Sequence, residues 1–405
     1  MTRSRYFSLI LILGSLTALS PFSIDMYLPG FPAIAKDLAT SVSRVSLSLS
    51  GFFIGISAGQ LIYGPLLDRF GRKKPLYAGL TVYILASVCC AFSHDIGSLI
   101  VLRFIQALGS CAATVTSVTL VRDLFPVNEN AKVFALLMLV LGASPMIAPT
   151  VGGYITSAFG WHMVFIVLAI LCAIIFLSCV LWLPAAYKPD RSLSLKPGPI
   201  IRSFWSVFTE PQFYTYCFTG GIAFTGLFAY VAGSPVVFMN VYGVGQKAYG
   251  WIFAFLSIGF IGSSQLNNIL LKRFSSRQII QAALVCYSIL SIFFLLSSGM
   301  GWLSLPLLIF FIFLLLSCIG IMNPNTASLT LAPFEKNAGT ASSLMGAIQM
   351  GLGSLISIFI SMFEKPSTNP LAISMAVSAI LALTVLKLGS RRMEHQVIAG
   401  QSAQF

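Results

Sequence analysis

Apolar residues in this chain fall into long runs separated by short polar breaks. Twelve runs reach the roughly 20 residues that a helix needs to cross a bilayer. They lie near 6–32, 43–66, 75–93, 97–121, 132–156, 162–184, 212–237, 248–270, 278–298, 303–328, 338–362 and 370–388. Strands of a membrane barrel would alternate polar and apolar residues over about ten positions, and these runs do not alternate. The pattern predicts an all-α membrane protein with twelve transmembrane helices. The run from Tyr6 past Leu28 is too long for the apolar core of a cleavable signal, so it is read as a retained first span.

Composition agrees. Of 405 residues, 57% are hydrophobic and 9% charged, against about 25% charged in soluble domains. Such a chain has too little polar surface for a soluble enzyme, a nucleic-acid module or a disordered protein. The net charge of +13 has a topological explanation instead. Nineteen of the 24 basic residues fall on the side of the N-terminus, four (Lys36, Arg44, Lys247, Lys365) on the other side, and Arg103 lies within a span. Basic residues concentrate in cytoplasmic loops, so both termini are expected in the cytoplasm. The eight cysteines sit inside apolar runs, without disulfide or zinc spacing.

The longest hydrophilic connection follows span six. It divides the chain into a first six-span part, 1–184, a cytoplasmic linker, 185–210, a second six-span part, 211–390, and a cytoplasmic tail, 391–405. A sparse repeat supports the division. Leu66-Leu67-Asp68-Arg69-Phe70 aligns with Leu270-Leu271-Lys272-Arg273-Phe274 at an offset of 204, and the same offset places Gly142-Ala143 on Gly346-Ala347. Parallel six-span halves are the architecture of one large transporter fold.

The turn after span two carries Gly64, Asp68, Arg69, Gly71 and Arg72, followed by Lys73-Lys74. An acid at a helix end among cations can pair with a basic residue or a helix N-terminus. It would lock the inner helix ends and release them on opening; a plain basic anchoring loop is the alternative. This turn resembles the signature of the major facilitator superfamily. Three further segments are similar to motifs of its twelve-span drug/proton antiporters. Arg103, Gln106 and Gly109 form an Arg-x-x-Gln-x-x-Gly motif in span four. Gly142, Pro145, Pro149, Gly152 and Gly153 form the Gly/Pro-rich antiporter motif in span five. Asp25-Met26-Tyr27-Leu28-Pro29 through Pro32 resembles the span-one signature of the bicyclomycin-resistance (Bcr/CflA) type. One departure is Trp161-His162, where many relatives carry Trp-Arg. The resemblance implies two pseudo-symmetric six-helix bundles, the major facilitator fold, and a conformational role for the span-five motif.

Two charges lie inside spans. Ten of the eleven acids fall in loops or at span ends, and Asp25 is the exception. Charges inside a bilayer are costly and usually face a cavity or a partner. Asp25 and Arg103 lie at matching depth, which allows a direct or water-bridged pair. Desolvation favours a neutral carboxyl and a nearby Arg favours a charged one. Asp25 is therefore the expected proton-linked carboxyl and Arg103 its tuning partner; a purely structural pair is the alternative.

A substrate cavity would combine apolar walls with few polar groups. Tyr27, Tyr230, Asn323 and Gln349 are the candidates, with Gln265, Asn267 and Asn268 behind them, though each also suits a helix–helix contact. No phosphate loop, metal spacing or catalytic set is present in the sequence, so neither a cofactor, a metal nor an enzymatic reaction is expected. The resemblance implies a monomer in the bacterial inner membrane that exports small, largely apolar compounds against proton entry. Its partners would be a small-molecule substrate, the proton and the lipid bilayer, with no nucleic acid. A carrier for one metabolite, such as an amino acid, sugar or siderophore, would share these motifs.

Overall fold

The computed structural model describes residues 3–184, 196–334, 337–363 and 365–402. Every predicted span is helical, and the described residues contain no strand. The helices are α1 (Arg3–Asp25), α2 (Phe31–Asp37), α3 (Val42–Phe70), α4 (Lys73–Ala91), α5 (Ile96–Leu124), α6 (Val127–Phe159), α7 (Trp161–Trp182), α8 (Pro197–Phe208), α9 (Pro211–Pro235), α10 (Gln246–Leu270), α11 (Ser276–Gly299), α12 (Leu305–Leu331), α13 (Ala338–Ser361) and α14 (Asn369–Ser402). Twelve spans are long and apolar enough to cross a membrane, the first formed by α1 and α2 together. Below, the near side is the one that carries the turn between α3 and α4, and the far side is the opposite one.

Three elements depart from a plain run of spans. The first span breaks after Asp25, and a 3₁₀ turn over Leu28–Gly30 leads into α2. Pro29 explains the break: proline offers no N–H and its ring excludes the carbonyl four residues back, here that of Asp25. The seventh span ends in a π-helical turn, Val236–Val241, after Pro235. The predicted linker contains the short helix α8, while its residues 185–195 lie outside the described ones. The predicted span 370–388 is the first part of a longer helix that continues through Ser402.

Contacts gather the chain into two compact units. The first comprises Met1–Lys196 with Ser234–Phe255 and Ser357–Pro366; the second comprises Pro197–Gly233, Leu256–Ile356 and Ser367–Phe405. In the first unit α5 is the hub, packing on α1, α3, α4 and α6. Small residues make this possible, because without a side chain two helix backbones can approach closely. Gly51, Gly55 and Gly59 recur every four residues along one face of α3. A Cβ there would lie 2.9 Å from the Ile100 carbonyl oxygen, 2.5 Å from that of Phe104 and 2.7 Å from the Cys111 Cβ. Hydroxyl pairs join α1 to α5: Thr17 to Ser117 at 2.6 Å, and Ser20 to Ser110 and Thr114 at 3.1 and 3.0 Å.

The second unit uses similar devices. Gly220 of α9 faces Thr326 of α12, and Gly353 of α13 faces the Phe228 ring of α9. Asn325 Nδ2 donates to Asn267 Oδ1 at 2.6 Å, tying α12 to α10. Tyr287 of α11 and Ser378 of α14 share a hydrogen bond of 3.0 Å.

The glycine face of α3 predicts a measurable asymmetry. Gly55→Ala places its methyl against the Phe104 carbonyl and should destabilise by about 1–3 kcal/mol. Gly262→Ala adds a methyl with no neighbour within 4 Å and should be silent. Melting temperatures in detergent compare the two; equal shifts would refute the close contact.

Candidate functional site

Asp25 stands at the last position of α1 and is 4% exposed. Its neighbourhood is held from the α5 side by Arg103, which is fully buried. The guanidinium lies 4.2 Å from the ring centroids of both Tyr27 and Phe52, with Phe165 at 5.7 Å. Nη2 donates to the Ser23 carbonyl oxygen at 2.8 Å, and Nη1 donates to Gln106 Oε1 at 2.5 Å. Gln106 Nε2 in turn donates to Ser87 Oγ at 2.7 Å, and Ser23 Oγ shares a 2.6 Å hydrogen bond with Tyr83. No ion pair or hydrogen bond joins Asp25 to Arg103 among the described residues. The direct pair that matching depth allowed is not formed. Arg103 instead grips Ser23 and Tyr27, two residues before and two after Asp25.

This geometry explains the span-four motif. Arg103, Gln106 and Gly109 are spaced by three and share one helix face. Arg103 holds the α1 turn, Gln106 passes the hydrogen bond on to α4, and Gly109 lets α4 approach. A Cβ on Gly109 would lie 2.6 Å from the Gly79 carbonyl oxygen.

The span-five motif approaches Asp25 from the other side. A Cβ on Gly152 of α6 would overlap the carbonyl oxygen of Met26, the residue after Asp25. A Cβ on Gly153 would lie 2.7 Å from the Gln246 carbonyl oxygen, and one on Gly250 would lie 2.9 Å from that of Pro149. Thr150 Oγ1 donates to the Gly250 carbonyl at 3.2 Å, and Ser50 Oγ donates to Ser357 Oγ at 2.8 Å. A far-side layer within the first unit thus joins α3 and α6 to the start of α10 and the end of α13. Pro145, Pro149 and Gly142 lie within the same helix α6.

At the far end of α2, Asp37 Oδ2 accepts from Trp161 Nε1 at 3.1 Å and lies 3.4 Å from His162 Nε2. The His162 that replaces the usual Arg therefore still reaches an acid.

On the near side Gly71 turns the chain between α3 and α4 at φ +79°, a conformation that favours glycine. Arg72 Nη1 donates to Asp68 Oδ1 and Nε donates to Asp123 Oδ2, both at 2.7 Å. Burial opposes the charged guanidinium, but its hydrogen bonds to Asp123 and Asp68 and their negative charges outweigh it and hold the Arg72 pKa above its ordinary value. Asp123, at the end of α5, is the member that sequence reasoning missed. It stands in a helix-end cluster beside Arg122, a place where an acid has many unremarkable uses. Gly64 lies in α3 one residue before Pro65, and the Arg69 guanidinium lies 5.8 Å from the Phe70 ring.

Of the cavity candidates, Tyr27 belongs to the first unit and Tyr230, Asn323 and Gln349 to the second. Tyr27 is buried in the Arg103 cage and shares a 3.3 Å hydrogen bond with Ser48. Tyr230 is buried in α9, whereas Asn323 of α12 and Gln349 of α13 are half-buried. Asn267 is engaged by Asn325, and Gln265 and Asn268 are exposed.

Comparison with known proteins places this arrangement. Residues 13–358 match the family model of the Major Facilitator Superfamily. The chain belongs to the major facilitator superfamily. Among relatives within it, an uncharacterised MFS-type transporter, YdgK, of Bacillus subtilis is 33% identical, over 92% of this chain and 93% of its own. A bicyclomycin resistance protein homolog of Haemophilus influenzae is 29% identical, over 93% and 94%. The crystal structure of a bacterial homolog to the human lysosomal transporter Spinster shares the fold at a TM-score of 0.75 and 15% identity, covering 96% of this chain and 98% of that one.

For this superfamily member, the Arg103 cage and the Arg72 bridge each make a prediction. Arg103→Lys keeps the charge but loses the planar stacking and the fork of donors. It should destabilise by about 2–4 kcal/mol, read as a lower melting temperature; an unchanged one would refute the cage. Asp123→Asn should cost more stability than Asp68→Asn, because Asp123 is 16% exposed and Asp68 48%, and exposed pairs are screened. The reverse order would contradict the bridge.

Proposed function

We propose that this chain is a proton-coupled exporter of small, largely apolar compounds, of the bicyclomycin-resistance type. The bicyclomycin resistance homolog among its relatives supports the substrate class, and twelve apolar spans support a multi-pass membrane protein. The proposal places it as a monomer in a bacterial inner membrane with the near side and both termini in the cytoplasm, following the basic-residue bias. The moving bodies are the two six-span parts, 1–184 and 211–390, which rock about a midplane site. Tyr27, Tyr230, Asn323 and Gln349 remain the proposed substrate contacts.

The observation that carries the proton reading is Asp25: a buried carboxyl with no ion pair among the described residues, on a turn broken by Pro29. Desolvation favours its neutral form. Opening to water on either side lowers that cost and lets the carboxyl exchange its proton with that side, so it is loaded from the more acidic side and released to the other. Arg103 is a positioning residue in this scheme, since it holds Ser23 and Tyr27 rather than the carboxylate. Gly152 ties the same turn to α6, so a shift of α6 changes the surroundings of Asp25. The Asp68–Arg72–Asp123 bridge holds the near-side ends of α3, α4 and α5.

Proteoliposomes with an imposed pH step test this reading. The unaltered chain should move lipophilic drugs and release protons when they are added. Asp25→Asn should abolish pH-driven transport, a loss of about 10²-fold or more, while retaining the native melting temperature. Full active transport by Asp25→Asn would refute the coupling role, and a response to one metabolite alone would refute the substrate class.

A further inference from the structure

The linker helix α8 is more amphipathic than any of the spanning helices, and part of it is left uncovered. At about 100° per residue, its residues form three facets. Val207, Ile200 and Phe204 share one; Phe208, Ile201 and Trp205 share the next; Arg202, Ser206 and Ser203 share the third. The first facet is the protein-facing one. Val207 is fully buried, packed with Phe213, Cys217 and Ala341 of the second unit, and Ile200 and Phe204 are half-buried. The second facet is apolar yet open, with Ile201 and Trp205 each 63% exposed. Trp205 and Phe208 stack at 5.8 Å, so this facet presents one joined aromatic surface.

Position says what covers it. Only Thr209 and Glu210 separate α8 from Pro211, the first residue of the spanning helix α9. Two residues reach about 7 Å, which holds α8 at the bilayer surface. Twelve residues of helix extend about 18 Å, too short to cross. A short amphipathic helix at that level lies in the interface plane with its apolar side toward the acyl chains. Charge agrees: Lys196 and Arg202 are exposed on the helix or beside it, and Lys188 and Arg191 precede them in the sequence. Arg202 adjoins Trp205 around the helix, so a guanidinium stands where the aromatic facet meets water.

We infer that α8 is an interfacial lipid-binding helix, in which Ile201 and Trp205 insert below the headgroups while Arg202 takes the phosphates of anionic lipids. The inference requires only that the chain spans the membrane, and it is independent of what the protein transports.

Fluorescence quenching tests it in nanodiscs of phosphatidylglycerol or phosphatidylcholine. The contribution of Trp205 is taken as the difference between the unaltered chain and Trp205→Phe, a conservative change that keeps the fold. Lipids brominated near the headgroup end of the acyl chain should quench this contribution at least two-fold more than aqueous acrylamide does. Arg202→Glu should lower the lipid quenching at least two-fold in phosphatidylglycerol and leave it unchanged in phosphatidylcholine. Quenching by acrylamide alone would overturn the inference, as would emission that varies with protein-to-lipid ratio and escapes both quenchers, the sign of a second copy on this face. An equal effect of Arg202→Glu in both lipids would overturn the role of anionic headgroups.

Discussion

A buried guanidinium held between two aromatic rings fixes the turn on which the candidate chemistry stands. Moving a cation out of water costs several kcal/mol even after relaxation. A carboxylate would be the obvious compensation, and Asp25 is near in depth, yet Arg103 is compensated otherwise. Two desolvated cation–π contacts of about 2 kcal/mol each and two hydrogen bonds of about 1.5–3 kcal/mol each are enough to offset that cost. The cage engages both terminal nitrogens and the faces of two rings and leaves only the buried Nε without a hydrogen bond, and the carboxyl of Asp25 stands outside it. A carboxylate bonded to Arg would stay charged through a transport cycle. One released from that bond can change protonation when its surroundings change.

The second constraint is close backbone approach, which explains why glycines accompany the charged motif. Gly51, Gly55 and Gly59 seat α3 on α5, and Gly109 seats α5 on α4. These contacts position Phe52 and Arg103 on adjoining helices without side chains between the backbones. Gly152 brings α6 directly onto the Met26 carbonyl, so the Asp25 turn is clamped by α5 on one side and α6 on the other. Neither clamp uses Asp25 itself. The carboxyl is placed by its neighbours in the chain, Ser23, Met26 and Tyr27, which make these contacts.

Much of this was legible in the sequence because a bilayer admits so few solutions. Runs of sufficient length specify spans, and the two charges inside them, Asp25 and Arg103, announce themselves by their cost. The spans followed from the chain directly. What could not be read was which groups meet. Depth placed Asp25 and Arg103 at one level but gave no azimuth, and the aromatic partners Phe52 and Phe165 are unremarkable within apolar runs. Asp123 was hidden for a related reason: an acid at a helix end carries no buried-charge signal until Arg72 is seen bridging to it. Helix α8 escaped because prolines and lysines around it read as loop, and twelve residues fall below the length that signals a span.

The near-side bridge belongs to the first half of the sequence and has no counterpart at the repeated turn. In the first half, Asp68 and Asp123 both engage Arg72, and the guanidinium sits between them with 9% exposure. In the repeated turn, Lys272 stands in the place of Asp68, so the second half lacks the carboxylate on which such a bridge would be built. Its described contacts rely instead on amides, hydroxyls and rings, such as Asn267 with Asn325 and Tyr287 with Ser378. Amides and hydroxyls keep one protonation state in the physiological range, and a carboxylate bonded to arginine stays charged, whereas a carboxyl outside such a bond is sensitive to its surroundings. Among the described residues, the acid buried within a span is Asp25, and it lies in the first unit.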